Sequence, residues 1–441
     1  MKLLFTLGLL TFAGIPINCL EWWQSMSLYQ IYPRSFKDSD GDGVGDLKGI
    51  EEKLPHLVNL GVDAFWISPT YPSPMIDFGY DISDFKGVDP MFGTMEDFEN
   101  LIKTAQKLSL KVIMDYVPNH TSDQHEWFQK SLKNIAPYND YYVWHPGKKL
   151  SNGTMAKPNN WLSVFGGPAW TWRDERQAYY LHQFDPAQPD LNYHNEKVVQ
   201  EMKDVLVFWL EKGVNGFRVD AIPHLFENTS YLDEPLAGNT DNPETYGYLD
   251  HIYTTNQQET YEMVQQWRDV FDAFDAANGV TSVMMTEAYA SPELTMKYYN
   301  YGSHFPFNFL FIENLSKSSS AGDYKNIIDS WMKDMPAGCT ANWVAGNHDK
   351  PRLVSRYDEN IAQAISVMLL LLPGVSVAYN GEEIGMENKW ISYEDTQDPQ
   401  GCNAGKENYE SMSRDPERTP FQWDNTTSAG FSTNSTTWLP V

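Results

Sequence analysis

The chain has 441 residues, 41% hydrophobic, 14% aromatic and 21% charged, which supplies a sizeable core and excludes wholesale disorder. Its 32 basic and 59 acidic residues leave a net charge of −27, a field that repels phosphate backbones and anionic lipid, so nucleic-acid binding is a poor reading. At roughly 150 residues per domain, the length predicts two or three.

Lys2 precedes an apolar run from Leu3 to Ile15, with Pro16 and Cys19 behind it. A short basic start, an apolar stretch and then helix-breaking residues read as a secretory signal peptide over residues 1–19, too short to span a bilayer. The mature protein is therefore expected outside the cell. Cys339 and Cys402 would then remain, candidates to pair in an oxidising compartment, although their spacing alone does not decide it. Sequons at Asn152, Asn228, Asn314, Asn425 and Asn434 predict glycosylation. A further sequon, Asn119-His120-Thr121, is expected to be buried in the site. The run Ala364 to Leu372 is too short for a membrane span and reads as a buried helix.

No low-complexity tract or fixed-period repeat interrupts the chain. Short apolar segments of strand character recur at Leu28–Tyr32, Ala64–Ile67, Val112–Met114, Gly216–Val219, Val283–Met285, Asn342–Val344 and Val375–Tyr379. Helical periodicity fills Ile50–Leu60, Met95–Leu108, Glu196–Glu211, Tyr261–Ala277 and Tyr324–Met332. Such alternation predicts parallel βα units. Several strands end abruptly in Asp115, Asp220, Glu287 or Asp349, and working residues of a (β/α)₈ barrel sit at the carboxyl ends of its strands. A doubly wound sheet is less suitable, since no Gly-rich phosphate turn follows an early strand. The interval 121–190 is too long for a structureless loop and is expected to be a small domain inserted after the third strand. The barrel would then comprise residues 20–120 and 191–387, with 388–441 following the eighth strand.

Asp38-Ser-Asp40-Gly-Asp42-Gly-Val44-Gly-Asp46 sets carboxylates at every second position of a curving loop, a hard-oxygen pattern suited to Ca²⁺. An EF-hand is excluded, because Gly49 stands where the twelfth-position glutamate belongs. Four further segments carry the chemistry: Asp115 to His120, Gly216 to His224, Thr286-Glu287-Ala288 and Gly346 to Asp349. Retaining cleavage of a glycosidic bond needs an attacking carboxylate and a proton-donating carboxylic acid. Arg218, two residues before Asp220 on the same strand face, is expected to keep that carboxylate ionised as nucleophile. Glu287 follows an apolar strand with no base beside it in sequence, so a raised pKa and an acid role suit it. His120 and His348 can donate to sugar hydroxyls.

These ordered segments resemble the α-amylase superfamily, glycoside hydrolase family thirteen, and are most similar to its maltase and oligo-1,6-glucosidase branch. Ile31-Tyr-Pro-Arg-Ser-Phe36, Asp77-Phe-Gly79-Tyr80-Asp81, Gln188-Pro-Asp190-Leu-Asn192, Gly381-Glu-Glu-Ile-Gly385 and Arg418-Thr-Pro-Phe-Gln-Trp423 add to the likeness, which covers about residues 22–424. The resemblance implies a (β/α)₈ barrel with an inserted domain and a retaining, exo-acting α-glucosidase that needs no organic cofactor. It implies Asp220 as nucleophile, Glu287 as acid/base and Asp349 as the third carboxylate. Asp77, Tyr80, His120, Arg218, His348 and Arg418 would line the glucose pocket, and the Asp38–Asp46 loop, with Val44 giving its carbonyl, would be the calcium site. Ala221 resembles enzymes that favour α-1,4 bonds. Family members usually continue into an eighth barrel helix and a C-terminal β-sandwich, which the residues after the eighth strand are too few to form, and uncovered apolar surface is the expected consequence. A transglycosylase or sugar isomerase, and a binding or receptor ectodomain for an external protein ligand, are the other readings of this scaffold. Receptors of this kind typically lose part of the carboxylate triad, and here all three positions are filled.

Overall fold

The structure, a computed structural model, describes residues 20–441; the segment read as a signal peptide lies outside them. Eight parallel strands form one sheet: β1 (Ser27–Ile31), β2 (Ala64–Ile67), β3 (Lys111–Tyr116), β4 (Gly216–Val219), β5 (Val283–Thr286), β6 (Phe305–Pro306), β7 (Asn342–Val344) and β8 (Val375–Tyr379). Their order is β6-β5-β4-β3-β2-β1-β8-β7, so each strand lies beside its sequence neighbour and β8 closes onto β1. Between β6 and β7 no ladder forms. The side chain of Asn342 spans that gap instead, donating to the Pro306 carbonyl at 2.6 Å and accepting from the Asn308 N–H at 2.8 Å. The barrel is thus nearly closed by backbone and finished by one amide. Buried on both faces, its strands read as continuous apolar runs. Gly216 opens β4 because a Cβ there would stand 2.1 Å from the Val283 carbonyl of β5.

Helices cover the outside: α1 (Leu47–Leu60), α2 (Met95–Lys107), α3 (Glu196–Glu211), α4 (Gln258–Asn278), α5 (Pro292–Asn300), α6 (Ala321–Asp334) and α7 (Glu359–Leu371). Their starts are set by local chemistry. Asp46 caps α1, and Thr94 with Asp97 forms a capping box on α2. The run Ala364–Leu372 does form a helix, but only part of it is buried. Ala362, Ile365 and Leu369 face the barrel, whereas Val367, Leu370 and Leu371 are exposed, since one face alone meets the strands.

Residues 121–190 leave the barrel after β3 and carry their own antiparallel sheet, in which Ala178–Leu181 pairs with both Trp144–His145 and Trp170–Arg173. Trp161, Trp170, Val143 and Leu181 pack a separate small core beneath it. After β8 the chain forms short helical turns and returns across the face of the barrel to its first loop. There Trp423 donates to the Phe36 carbonyl at 2.6 Å, the Trp438 backbone N–H to the Gly43 carbonyl at 3.0 Å, and Ser432 to Asp38 at 2.5 Å. No described helix is long and apolar enough to cross a membrane.

Candidate active site

β3, β4 and β5 deliver the first group. Arg218 projects from β4 beneath the barrel mouth, 2% exposed, and touches three carboxylates. It reaches Asp115 at 2.8 Å through Nη1, Asp220 through the same nitrogen, and Glu287 at 2.8 Å through Nη2. The base that sequence reading did not find beside Glu287 is therefore this one, supplied by the neighbouring strand. One guanidinium is shared among three buried carboxylates, and two of them are raised. Burial pushes Asp115 up to about 6 against the pull of Arg218. Asp220 goes well above the carboxylate range, through burial and the charges of Glu287, Asp115 and Asp349. Arg218, expected to keep Asp220 ionised, does pull it down, but its charge is shared with Asp115 and Glu287. Ala221, next along, adopts φ 45°, a left-handed conformation that costs a non-glycine residue on the order of 1 kcal/mol. That twist aims its N–H at Glu287 Oε2, 3.0 Å away.

The second group comes from β7 and the segment after β8. Asp349 accepts from Arg418 at 2.7 Å and from Arg414 at 3.3 Å. Arg414 also grips Asp77 at 2.8 Å and Asp398 at 2.6 Å. Burial would raise the Asp349 carboxyl, but His348 and the two facing guanidiniums outweigh it and hold it far below the usual range. Since burial keeps His348 itself uncharged at neutral pH, the arginines carry that effect. Asp77 goes the other way: its burial outweighs Arg414 and raises it. Arg418, expected to line the pocket, is fully buried behind Asp349 and bonds the His348 carbonyl. Arg414, which the sequence reading did not single out, is the arginine facing the cavity.

A chain of hydrogen bonds links the two groups. The Gln30 amide donates to His348 Nδ1 at 2.8 Å, which leaves the proton on Nε2, 2.8 Å from the Tyr80 hydroxyl; that hydroxyl donates to Asp115 at 3.0 Å. Tyr80 and His348 also stack, with ring centroids 5.5 Å apart. His120, lowered to about 4 by burial, is a neutral imidazole against the Tyr80 carbonyl and Gln188, and Gln188 reaches on to Asp77 at 3.1 Å. Asp77, Tyr80, His120, Asp220, Glu287, His348, Asp349 and Arg414 all line one cavity of about 590 Å³, with Phe165 and Phe184 of the inserted region forming its apolar wall. Its size suits a small-molecule ligand.

In the acidic loop, Asp38, Asp40 and Asp42 bring carboxylate oxygens within 4.8 Å of one another. Asp46, expected as a fourth ligand, accepts from Gly49 N–H at 2.7 Å as the cap of α1 and from Ser39. Val44 donates its N–H to Asp42 at 2.7 Å. Asn152, Asn314 and Asn425 are exposed, Asn228 and Asn434 half-buried, and Asn119 is buried beside His120. Cys339 and Cys402 are free thiols, which corrects the expected pairing. Cys339 precedes β7 at the foot of the barrel, whereas Cys402 lies in the segment that crosses its mouth.

A parallel barrel whose strand ends gather buried carboxylates around guanidiniums in one sugar-sized cavity defines a barrel glycoside hydrolase. The chain belongs to the alpha-amylase family: residues 30–441 match the family described as alpha amylase, catalytic domain. It is 59% identical over 427 residues to an alpha-glucosidase of Apis mellifera, covering 97% of this chain and 74% of that one. To a salivary alpha-glucosidase of Anopheles gambiae it is 52% identical over 430 residues, covering 96% and 72%. Among solved structures, an alpha-glucosyl transfer enzyme superposes with a TM-score of 0.87 at 39% identity, over 96% of this chain and 79% of that one.

Proposed function

We propose that this chain is an exo-acting α-glucosidase that removes terminal α-1,4-linked glucose from maltose, sucrose and short oligosaccharides with retention of configuration. The carrying observation is the Arg218 fork, which holds Asp220 and Glu287 side by side in the cavity that Asp349 faces. Carboxylates bridged by one guanidinium suit the separation of about 5–5.5 Å that retaining enzymes use, rather than the wider gap of inverting ones. In this reading Asp220 attacks the anomeric carbon as Glu287 gives its proton to the glycosidic oxygen, so the leaving sugar departs as an alcohol and a glucosyl ester remains. Glu287, now a carboxylate, takes a proton from water; the hydroxyl attacks the same carbon, releasing glucose and Asp220. Asp349, kept ionised by its arginines, binds ring hydroxyls and stabilises positive charge developing on the ring. The Asp77–Arg414 ion pair, backed by Gln188, walls one end of the cavity, which favours a chain end over a chain interior.

Asp38, Asp40, Asp42 and Asp46 are proposed to hold a structural Ca²⁺, with Val44 adding its carbonyl. Oxygens within 4.8 Å of one another fit a cation with Ca–O distances of about 2.3–2.6 Å. Secretion is supported by the salivary relative, and glycosylation by the exposed Asn152, Asn314 and Asn425. The glucosyl transfer named for the structural neighbour favours a second outcome, in which a sugar replaces water in the second step.

The test is wild type and Asp220→Asn side by side on maltose and α-glucosyl fluoride, with NMR following the first anomer released. Wild type should release α-glucose, and the variant should lose at least about 10⁴-fold in kcat while melting like wild type. Release of the β-anomer, or turnover surviving in the variant, would overturn the assignment.

A further inference from the structure

A second groove, of about 430 Å³, lies at the seam between the barrel and the inserted region and shares no lining residue with the catalytic cavity. Asp84 and Phe85 reach it from the loop between β2 and α2, His125 and Trp127 from the start of the inserted region, and Glu201 from α3. Two N–H donors in it are unused. His125 is only 5% exposed, and its Nδ1 accepts the Trp127 backbone N–H at 3.1 Å, which puts the ring proton on Nε2. That Nε2 has no acceptor among the described residues, yet it is not sealed from solvent, so it opens to the groove. Burial lowers His125 to about 3, and the ring is a neutral donor at physiological pH. Phe85 and Trp127 hold it in place, with ring centroids 5.6 and 4.5 Å away. Among the described tryptophans, Trp127 is the one whose indole N–H neither meets an acceptor nor is shut away from solvent.

Carboxylates supply the complementary half. Glu201 has no hydrogen-bond partner among the described residues, and Asp84 gives one oxygen to the Lys86 backbone N–H at 2.9 Å and keeps the other. Exposed Glu126, paired with Lys130 at 2.6 Å, and the ammonium of Lys86 also line the groove. This mixture decides what fits. Three carboxylates against one ammonium repel an anion. A metal ion needs lone pairs, whereas the imidazole Nε2–H and the indole N–H present protons. A hydroxyl group both accepts from such an N–H and donates to a carboxylate, so a neutral ligand with several hydroxyls satisfies every group at once. We propose that this groove is a second sugar site, which binds a glucosyl unit without cutting it. The choice of a glucosyl ligand rests on the α-glucosidase reading; the preference for a neutral polyol does not. A sugar bonded to His125 and Glu201 together would also tie the inserted region, which walls the catalytic cavity, to the barrel.

The experiment is isothermal titration calorimetry of maltose into Asp220→Asn, and into the same chain with Trp127→Phe or Glu201→Ala added. Trp127→Phe keeps a ring and loses the N–H; Glu201→Ala removes a carboxylate from the half-buried side of α3 without touching the inserted region. Asp220→Asn should show two classes of site, and each added substitution should weaken one of them about tenfold and leave the other unchanged. In the chain that retains Asp220, both substitutions should keep the wild-type kcat on maltose. A single class of site, or a second class indifferent to both substitutions, would overturn the proposal. So would displacement of maltose from that second class by calcium chloride, which would make the groove a cation site. Wild type inert on maltose while the second class survives would overturn the α-glucosidase reading and leave the groove a sugar site.

Discussion

Replacing Arg414 by alanine tests how the pocket is held together. Its guanidinium, 12% exposed, contacts Asp77, Asp349 and Asp398 at 2.8, 3.3 and 2.6 Å. Two of those carboxylates keep other partners, Asp349 through Arg418 and Asp398 through the backbone N–H of residue 414, 2.9 Å away. Asp77 keeps the Gln188 amide and the more distant charge of Arg418, and becomes a buried carboxylate without a paired counter-ion. Breaking a buried pair from one side costs about 3–5 kcal/mol. With an unfolding entropy of about 2.1 cal/mol/K per residue over roughly 420 residues, each kcal/mol moves Tm by about 1.1 °C, so a fall of about 3–6 °C is expected. The loss should also depend on pH. Asp77 is already raised by burial, and without Arg414 it rises further; a group raised in the fold loses stability as pH climbs through its folded value. Asp349 and Asp398 are depressed, so what they contribute is constant from pH 5 to pH 8. Thermal melts of Arg414→Ala should therefore show the larger deficit at pH 8 and a smaller one at pH 5. A deficit that is absent, or greater at pH 5, would refute the assignment of Arg414 as counter-ion to Asp77. Lysine at this position should restore little, since a single ammonium cannot reproduce the fork across three acids.

Two further outcomes follow from the same geometry. Asn342→Ala removes the amide that joins β6 to β7 and strands the Pro306 carbonyl and the Asn308 N–H. At about 1–3 kcal/mol for each orphaned group, differential scanning calorimetry should register a Tm drop of about 2–7 °C, and an unchanged melt would show the seam to be held otherwise. If the acidic loop takes Ca²⁺, then at a hundredfold excess over Kd the ion adds about 2.7 kcal/mol, so excess chelator should lower Tm by about 3 °C. The Asp38→Ala/Asp40→Ala variant should abolish that response; melting indifferent to chelator would dismiss the ion.

Much of the barrel was legible because burial on both faces makes a strand apolar throughout, so the first polar residue marks its carboxyl end. Asp115, Asp220, Glu287 and Asp349 stood out for that reason. β6 did not, since it is two residues long, contains Pro306, and meets β7 through a side chain instead of a ladder. The capping role of Asp46 was not drawn out because a helix cap and a metal ligand look alike in a run of aspartates, although its place just before the periodic α1 was the signal for a cap. Arg414 was missed because its role depends on how a non-strand segment folds back over the barrel. Its spacing of four residues from Arg418, around the short turn Asp415–Glu417, put both on one side and was the only hint. The upward pull on Asp220 was not legible because sequence shows one neighbouring arginine and hides the other carboxylates that share it.

The return of residues 414–438 to the first loop also has a bearing on biosynthesis. Ser432 meets Asp38 across 394 positions and Arg414 meets Asp77 across 337. At a ribosomal rate of about 5–20 residues per second, the loop waits on the order of 20–80 s for its partner. Until residue 414 is made, the nascent barrel carries Asp77 without its cation, so that wall of the cavity matures late, and slow translation or early proteolysis would act there first.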